Sequence, residues 1–160
     1  MELKLYIVRH AHADFAETDE IRPLTDKGWN QVERLVSGFL DKELITPAVI
    51  WHSGLRRAAE TAQGLKDGLA LEDCRFAKKN GLAPYDDPAG IAVQIDNLTE
   101  SAMVVGHNPH LTCLATLLLD NACDRIIFPK ASILCLSRMK VGDQSTPWQV
   151  QWHLNHKHFR

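Results

Sequence analysis

Four short apolar runs constrain this chain more than any other feature: Leu3 to Val8, Ala48 to Trp51, Ala102 to Val105 and Ile133 to Leu136. Each is bounded by polar or turn residues and is too short for a buried helix, so each reads as a buried strand. Helical patterns lie between them. Thr25 can cap a helix in which Trp29, Val32, Leu35, Val36, Phe39 and Leu40 recur at helical spacing, until Pro47 breaks it. Ala58, Ala59, Ala62 and Leu65 give a second helix, over 57–69, a small-residue packing face. Ile91 to Leu98 predicts a short helix, and Pro109 suits the first turn of another that runs through Leu111, Leu114 and Leu118. Cys74 to Ala77 predicts a short strand, and Gly81 to Gly90 carries loop chemistry. Trp148, Val150, Trp152 and Leu154 alternate with polar residues, which puts both tryptophans on one strand face. Strands alternating with helices predict a three-layer α/β/α fold. Its sheet is mostly parallel with helices on both faces, and the last strands add an antiparallel edge. At 160 residues the chain is expected to form one domain, 1–160.

Composition narrows the function. Lys and Arg number 18 against 20 Asp and Glu, a formal charge of −2. No global basic field exists to hold nucleic acid or an anionic membrane, so any anion must be handled at a local site. The apolar run at the start is too short for a signal-peptide core, and no run approaches a membrane span. The expectation is a cytoplasmic monomer. Cys74, Cys113, Cys123 and Cys135 form no C-x-x-C pair, and they read as buried, reduced thiols.

In open α/β sheets, ligands bind beyond the carboxyl ends of the strands. The first strand ends at Arg9-His10, the second at His52-Ser53 ahead of Arg56-Arg57, and the fourth at Gly106-His107-Asn108. If these strands are neighbours, histidines and arginines converge on one rim. The arginine fork matches phosphate oxygens bidentately, and histidine can attack phosphorus or move a proton. The cations would repel a metal ion, and no G-x-x-x-x-G-K-[ST] loop is present.

At this point the residues resemble a known family. Val8-Arg9-His10-Ala11 resembles the Arg-His-Gly signature of the histidine phosphatase superfamily, which has the phosphoglycerate-mutase-like fold. Leu24-Thr25-Asp26-Lys27-Gly28-Trp29-Asn30-Gln31 resembles its first-helix motif. Ser53 to Ala62 resembles its S-P-x-x-R-A-x-x-T-A segment, which selects Arg57 over Arg56. Val104-Val105-Gly106-His107-Asn108 resembles its second histidine motif. Arg22-Pro23-Leu24-Thr25 and Phe128-x-Lys130-Ala131-Ser132 are similar to the small bacterial branch of phosphohistidine phosphatases. The resemblance implies that His10 attacks phosphorus and becomes phosphohistidine, while Arg9, Arg57 and His107 clamp the phosphoryl oxygens. It implies substrate contact for Arg22, a capping role for Thr25, no metal and no organic cofactor. The implied partner is a protein carrying phosphohistidine.

Departures from the pattern bear on substrate. Ala11 stands where glycine is commoner, and Gly54 where proline is usual. The segment from Asn80 to Asp87 lacks the Glu that mutase-like members use to protonate an alkoxide leaving group, although Asp86 and Asp87 follow. An imidazole leaving group needs such an acid less. Three alternatives stay open. One is a phosphatase for small phosphorylated metabolites with Asp86 or Asp87 as acid. Another is a phospho-ligand module without turnover. The third is a metal site built from His10, His12 and the histidines of a frayed tail, His153, His156 and His158. His52 reads as a structural rim residue and His110 as packing or surface. His12 and Asp14 remain open between a substrate-facing loop and solvent.

Overall fold

A computed structural model describes residues 1–120 and 126–159. Strand β1 is Glu2–Arg9, followed by α1 at Asp26–Phe39, β2 at Val49–His52, α2 at Arg56–Gly68 and β3 at Arg75–Lys78. Then come α3 at Pro88–Asp96, β4 at Ala102–Gly106, α4 at His110–Leu118, β5 at Ser132–Val141, β6 at Gln144–Ser145 and β7 at Gln149–Asn155. The sheet order is β3-β2-β4-β1-β5-β6, with β7 also paired to β5. Strands β3, β2, β4 and β1 are parallel; β5 runs antiparallel to β1, and β7 antiparallel to β5.

Period-two alternation sorts the strand side chains into two cores. Leu3, Leu5 and Ile7 of β1, Val104 of β4 and Leu134 of β5 pack with α3 and α4. Tyr6, Val8, Ile50, Met103 and Ile133 pack on the other face with Val32 and Leu35 of α1 and Ala58, Ala62 and Leu65 of α2. Two buried faces explain why the central strands are continuous apolar runs rather than alternating ones. Thr25 does cap α1, its hydroxyl accepting from the Gly28 amide at 3.0 Å.

Several expectations are corrected. Helix α3 begins at Pro88, because Asp87 caps it through the Ala89 amide at 2.9 Å. Trp148 and Trp152 do not share a face. The register between β5 and β7 shifts at Cys135/Leu136, and the extra residue of this bulge breaks the alternation. Trp152 packs beside Phe39, while Trp148 lies in the opposite core beneath Arg138. The tail is not frayed: Asn155 and His158 form a capping box, and the Phe159 ring packs on Phe39. Cys74 and Cys135 are buried, but Cys113 faces solvent on the outer side of α4, and Cys123 lies outside the described residues. Among the described residues, no helix is long and apolar enough to cross a membrane.

Candidate active site

Register brings the three strand ends level. Arg9 pairs with Gly106, and His52 with Val105, so β1, β4 and β2 expire side by side. The chain continues from each into one cleft of about 380 Å³, lined by Arg9, His10, Asp19, Arg22, Arg57, Pro84, Tyr85, His107, Asn108 and Lys130. All five sequence-predicted site residues, Arg9, His10, Arg22, Arg57 and His107, therefore meet.

His10 is only 6% exposed, and its ring lies 5.0 Å from that of His107, centroid to centroid. Its Nδ1 is 2.7 Å from the Ala11 carbonyl oxygen. A carbonyl only accepts, so Nδ1 carries the proton and the neutral ring keeps its free lone pair on Nε2. The Ala11 amide donates to Thr61 Oγ1 at 3.0 Å, and the His10 amide to the Gly106 carbonyl at 3.0 Å. Backbone on both sides of the ring is thus pinned. Ala11 is not among the residues with positive φ, so its methyl costs nothing here.

Arg57, 4% exposed, projects from the first turn of α2 and donates to the Asp19 carbonyl at 2.9 Å and to Asp19 Oδ2 at 3.2 Å. Arg56 instead forms a solvated pair with Glu60 at 3.5 Å, as the motif-based choice between the two arginines requires. The turn that aims α2 contains Gly54 at φ +89°, a value proline cannot adopt. Here the turn is held by the Gly54 amide donating to His52 Nδ1 at 3.1 Å, which gives His52 its structural role at the rim. Arg9 donates to the Phe128 carbonyl at 2.7 Å, and Arg22 to the Asp14 carbonyl at 2.8 Å and Asp19 Oδ1 at 3.2 Å. His107 Nε2 lies 2.6 Å from Ser53 Oγ, which also accepts from the Leu55 amide. Arg9 Nε, Arg57 Nε and His107 Nδ1 are buried with no partner among the described groups.

Electrostatics follow from this crowding. Burial lowers His10 to about 4, helped by the charges of Arg57, Arg9 and Lys130 against the opposing Ala11 hydrogen bond. Burial and the neighbouring His10 and Arg57 lower His107 to about 2. Both rings are neutral in the free protein at pH 7. Burial and the nearby arginines also lower Lys130. For Asp19, burial acts upward, but hydrogen bonds and charges from Arg22 and Arg57 outweigh it and hold the carboxyl below its usual range. It is the one carboxylate among the described residues lining the cleft. An imidazole lone pair, unpartnered N–H donors and fixed cations can together bind a phosphoryl dianion and stabilise its transfer.

Neither Asp86 nor Asp87 lines the cleft. Asp86 Oδ2 accepts from the Ala83 amide at 3.0 Å and Asp87 caps α3. Nor do His10, His12 and the tail histidines converge: His12 Nδ1 meets Thr25 Oγ1 at 2.7 Å, and His158 Nδ1 accepts from the Asn155 amide. Among the described residues no group of three His, Cys, Asp or Glu could hold a metal ion. His110 is buried packing, and Asp14 is exposed. Sequence reasoning missed Ser53, Asp19 and Lys130 as lining or supporting groups. Lys130 was legible in principle: β5 runs antiparallel beside β1, so its start, not its end, meets the rim.

Residues 5–82 match the sequence model of the histidine phosphatase superfamily (branch 1). The fold matches the structure of the protein histidine phosphatase SixA complexed with tungstate, at TM-score 0.82 and 22% identity over 98% of this chain and 99% of that one. A SixA-type protein of Agrobacterium tumefaciens matches at TM-score 0.78 and 21% identity, over 95% and 97% of the two chains. A mycobacterial glucosyl-3-phosphoglycerate phosphatase matches at 0.69 and 16%, over 94% and 98%. A search of curated protein sequences found no significant match. Residues 5–82, just under half of this chain, thus carry the sequence pattern of the histidine phosphatase superfamily, and the chain shares the fold of the SixA structure over nearly its whole length.

Proposed function

We propose that this chain is a metal-independent phosphatase that works through a covalent phosphohistidine at His10, with phosphohistidine on a protein as its substrate. The observation that carries the reading is the His10 ring, whose Nδ1 is engaged by Ala11 at 2.7 Å so that Nε2 is the nucleophilic nitrogen. Nε2 attacks phosphorus, the substrate P–N bond breaks, and its electron pair leaves on the departing imidazole. Water then attacks the phosphoenzyme, the P–Nε2 bond breaks, and inorganic phosphate departs. Arg9, Arg57 and His107 hold the phosphoryl oxygens through both steps, and Arg22 contacts the substrate at the mouth.

The leaving group supports the substrate class. An alkoxide must be protonated as it departs, yet Asp86 and Asp87 are held in a turn and a cap, and Asp19 stays ionised between two arginines. An imidazole protonated on its other ring nitrogen leaves neutral with the P–N electron pair, just as the phosphoenzyme ring does with its proton on Nδ1, so exchange of one P–N bond for another is close to balanced. Arg9, Arg57 and Lys130 already supply the positive charge a metal would bring, and repel one. The likeness to SixA, a protein histidine phosphatase, adds support for a protein-borne substrate. A panel comparing a phosphohistidine peptide with sugar phosphates and phosphoglycerate esters, with and without EDTA, tests the reading. We expect the phosphohistidine peptide to be turned over at least tenfold better and EDTA to have no effect. A preference for the esters would overturn it.

A further inference from the structure

Beside the phosphate cleft lies a second depression of about 340 Å³, lined by Lys27, Asn30, Gln31, Arg34 and His156. Lys27, Gln31 and Arg34 lie on one face of α1 at i, i+4 and i+7, and His156 rises from the chain just after β7. Short hydrogen bonds connect it to the cleft. The Ala131 amide donates to the His10 carbonyl at 3.1 Å, and the Ala131 carbonyl accepts from the His156 amide at 3.1 Å. Gln31 Oε1 accepts from the His12 amide at 2.8 Å. Residue 131 thus links His10 to the depression, and its neighbour Lys130 lines the cleft.

The charge of this strip is uncompensated. Lys27, Arg34, Lys130 and Lys157 form no ion pair among the described residues. Repulsion reaches across it: after burial, the charges of Arg34, Lys157 and Lys27 lower His156, and Lys130 and Lys27 lower His12 against the smaller opposing effect of Asp14. In a chain of net charge −2, unpaired Lys27 and Arg34 on the depression and Lys130 on the neighbouring cleft are a local reversal of sign. Such strips steer and register an oppositely charged partner more than they stabilise a fold.

We propose that the groove between Lys27, Arg34 and His156 docks acidic side chains that flank the phosphohistidine of the protein substrate, in register with the phosphoryl group in the neighbouring cleft. This rests on the phosphoprotein reading above. A free metabolite would fill only the cleft. A polyanion such as nucleic acid is disfavoured, since the strip is short and the rest of the chain is acidic.

The test uses the intact protein and two phosphohistidine peptides, one flanked by Asp and Glu, the other by Asn and Gln. The wild type should show a KM about tenfold lower for the acidic peptide, with similar kcat. Lys27→Glu with Arg34→Glu should erase that preference and its salt dependence, and leave turnover of the neutral peptide within twofold. No preference in the wild type, or a preference that survives both reversals, would overturn the proposal. So would equal, variant-sensitive binding of a single-stranded oligonucleotide, which would mark a general polyanion surface. If neither phosphopeptide is hydrolysed, the substrate reading fails separately. Binding of the unphosphorylated acidic peptide, followed by amide shifts at Lys27 and Arg34, then decides the groove: shifts there uphold it and their absence rejects it.

Discussion

Ser53 Oγ sits 2.6 Å from His107 Nε2 and receives the Leu55 amide at 3.2 Å, so one hydroxyl ties the second histidine to the turn ahead of α2. With Leu55 donating to it, the Ser53 hydroxyl is free to donate its hydrogen bond to Nε2. His107 then carries its proton on Nδ1, the buried atom that has no partner in the free protein. Ser53 thereby leaves His107 Nδ1–H as an unpartnered donor, available to the phosphoryl oxygen of the proposed reaction.

Ser53→Ala removes that control. It leaves a buried ring nitrogen unsatisfied, a loss of about 1–2 kcal/mol, or roughly five- to thirtyfold in kcat, with KM changed less. Ser53→Thr keeps the hydroxyl and should restore most of the rate. Nitrogen NMR of His107 should report a changed tautomer in the alanine variant alone.

The two adjacent arginines should separate sharply. Arg57 is buried on Asp19, while Arg56 forms an exposed pair with Glu60. Arg57→Ala should cost roughly 10²- to 10³-fold in kcat/KM, in line with loss of one oxyanion donor. Arg56→Ala should change neither rate nor stability by more than about 0.5 kcal/mol. Steady-state kinetics with a phosphohistidine peptide would check both.

Acid should act on activity and stability together. His10 is lowered from 6.5 to about 4, so its nucleophilic nitrogen stays unprotonated well below neutral pH. The acid limb of kcat/KM should therefore fall near pH 4 rather than near 6.5. For stability, the folded state holds His10 and His107 neutral while the unfolded chain protonates near 6.5. The contribution is complete above pH 6.5 and declines as pH falls, toward 4 for His10 and further toward 2 for His107. Denaturant melts across that range should show the decline, and His107→Asn should flatten it.

The segment after the reactive histidine depends on Gly28. A Cβ there would collide with the His12 backbone carbonyl, which cannot swing aside as a side chain can. That carbonyl also accepts from the Thr25 amide at 3.1 Å, joining the loop to the start of α1. Gly28→Ala should destabilise the fold by about 1–3 kcal/mol and lower kcat as residues 10–12 shift. Thermal melts and kinetics on the same variant would show both. Gly38→Ala, where the added methyl would first meet the Phe159 ring, should cost stability without touching kcat.

The parallel half of the fold was legible because its strands are short, apolar and buried on two faces, a pattern that survives without tertiary knowledge. The site was legible for a related reason. In parallel strands the rim residues follow directly after the apolar run, as Arg9-His10, His52-Ser53 and Gly106-His107 do. The antiparallel half was less so. Lys130 reaches the rim from the start of β5, and only the pairing of Ser132 with Arg9 reveals it. The split of Trp148 and Trp152 depends on a bulge, which alternation cannot show. Asp19 was hidden because its partner Arg57 is 38 residues away, on another element. The tail looked like loose polar chain, yet Asn155, His158 and Phe159 hold it through local caps and one ring contact.

The central claim is that phosphorus is transferred to His10. Mixing the protein with a phosphohistidine peptide, quenching in alkali and locating the phosphoryl group by peptide mass spectrometry tests it most directly. We predict one alkali-stable, acid-labile phosphoryl group on His10, absent from His10→Ala together with phosphate release. A phosphoryl group on another residue, or phosphate release by His10→Ala at the wild-type rate, would contradict it.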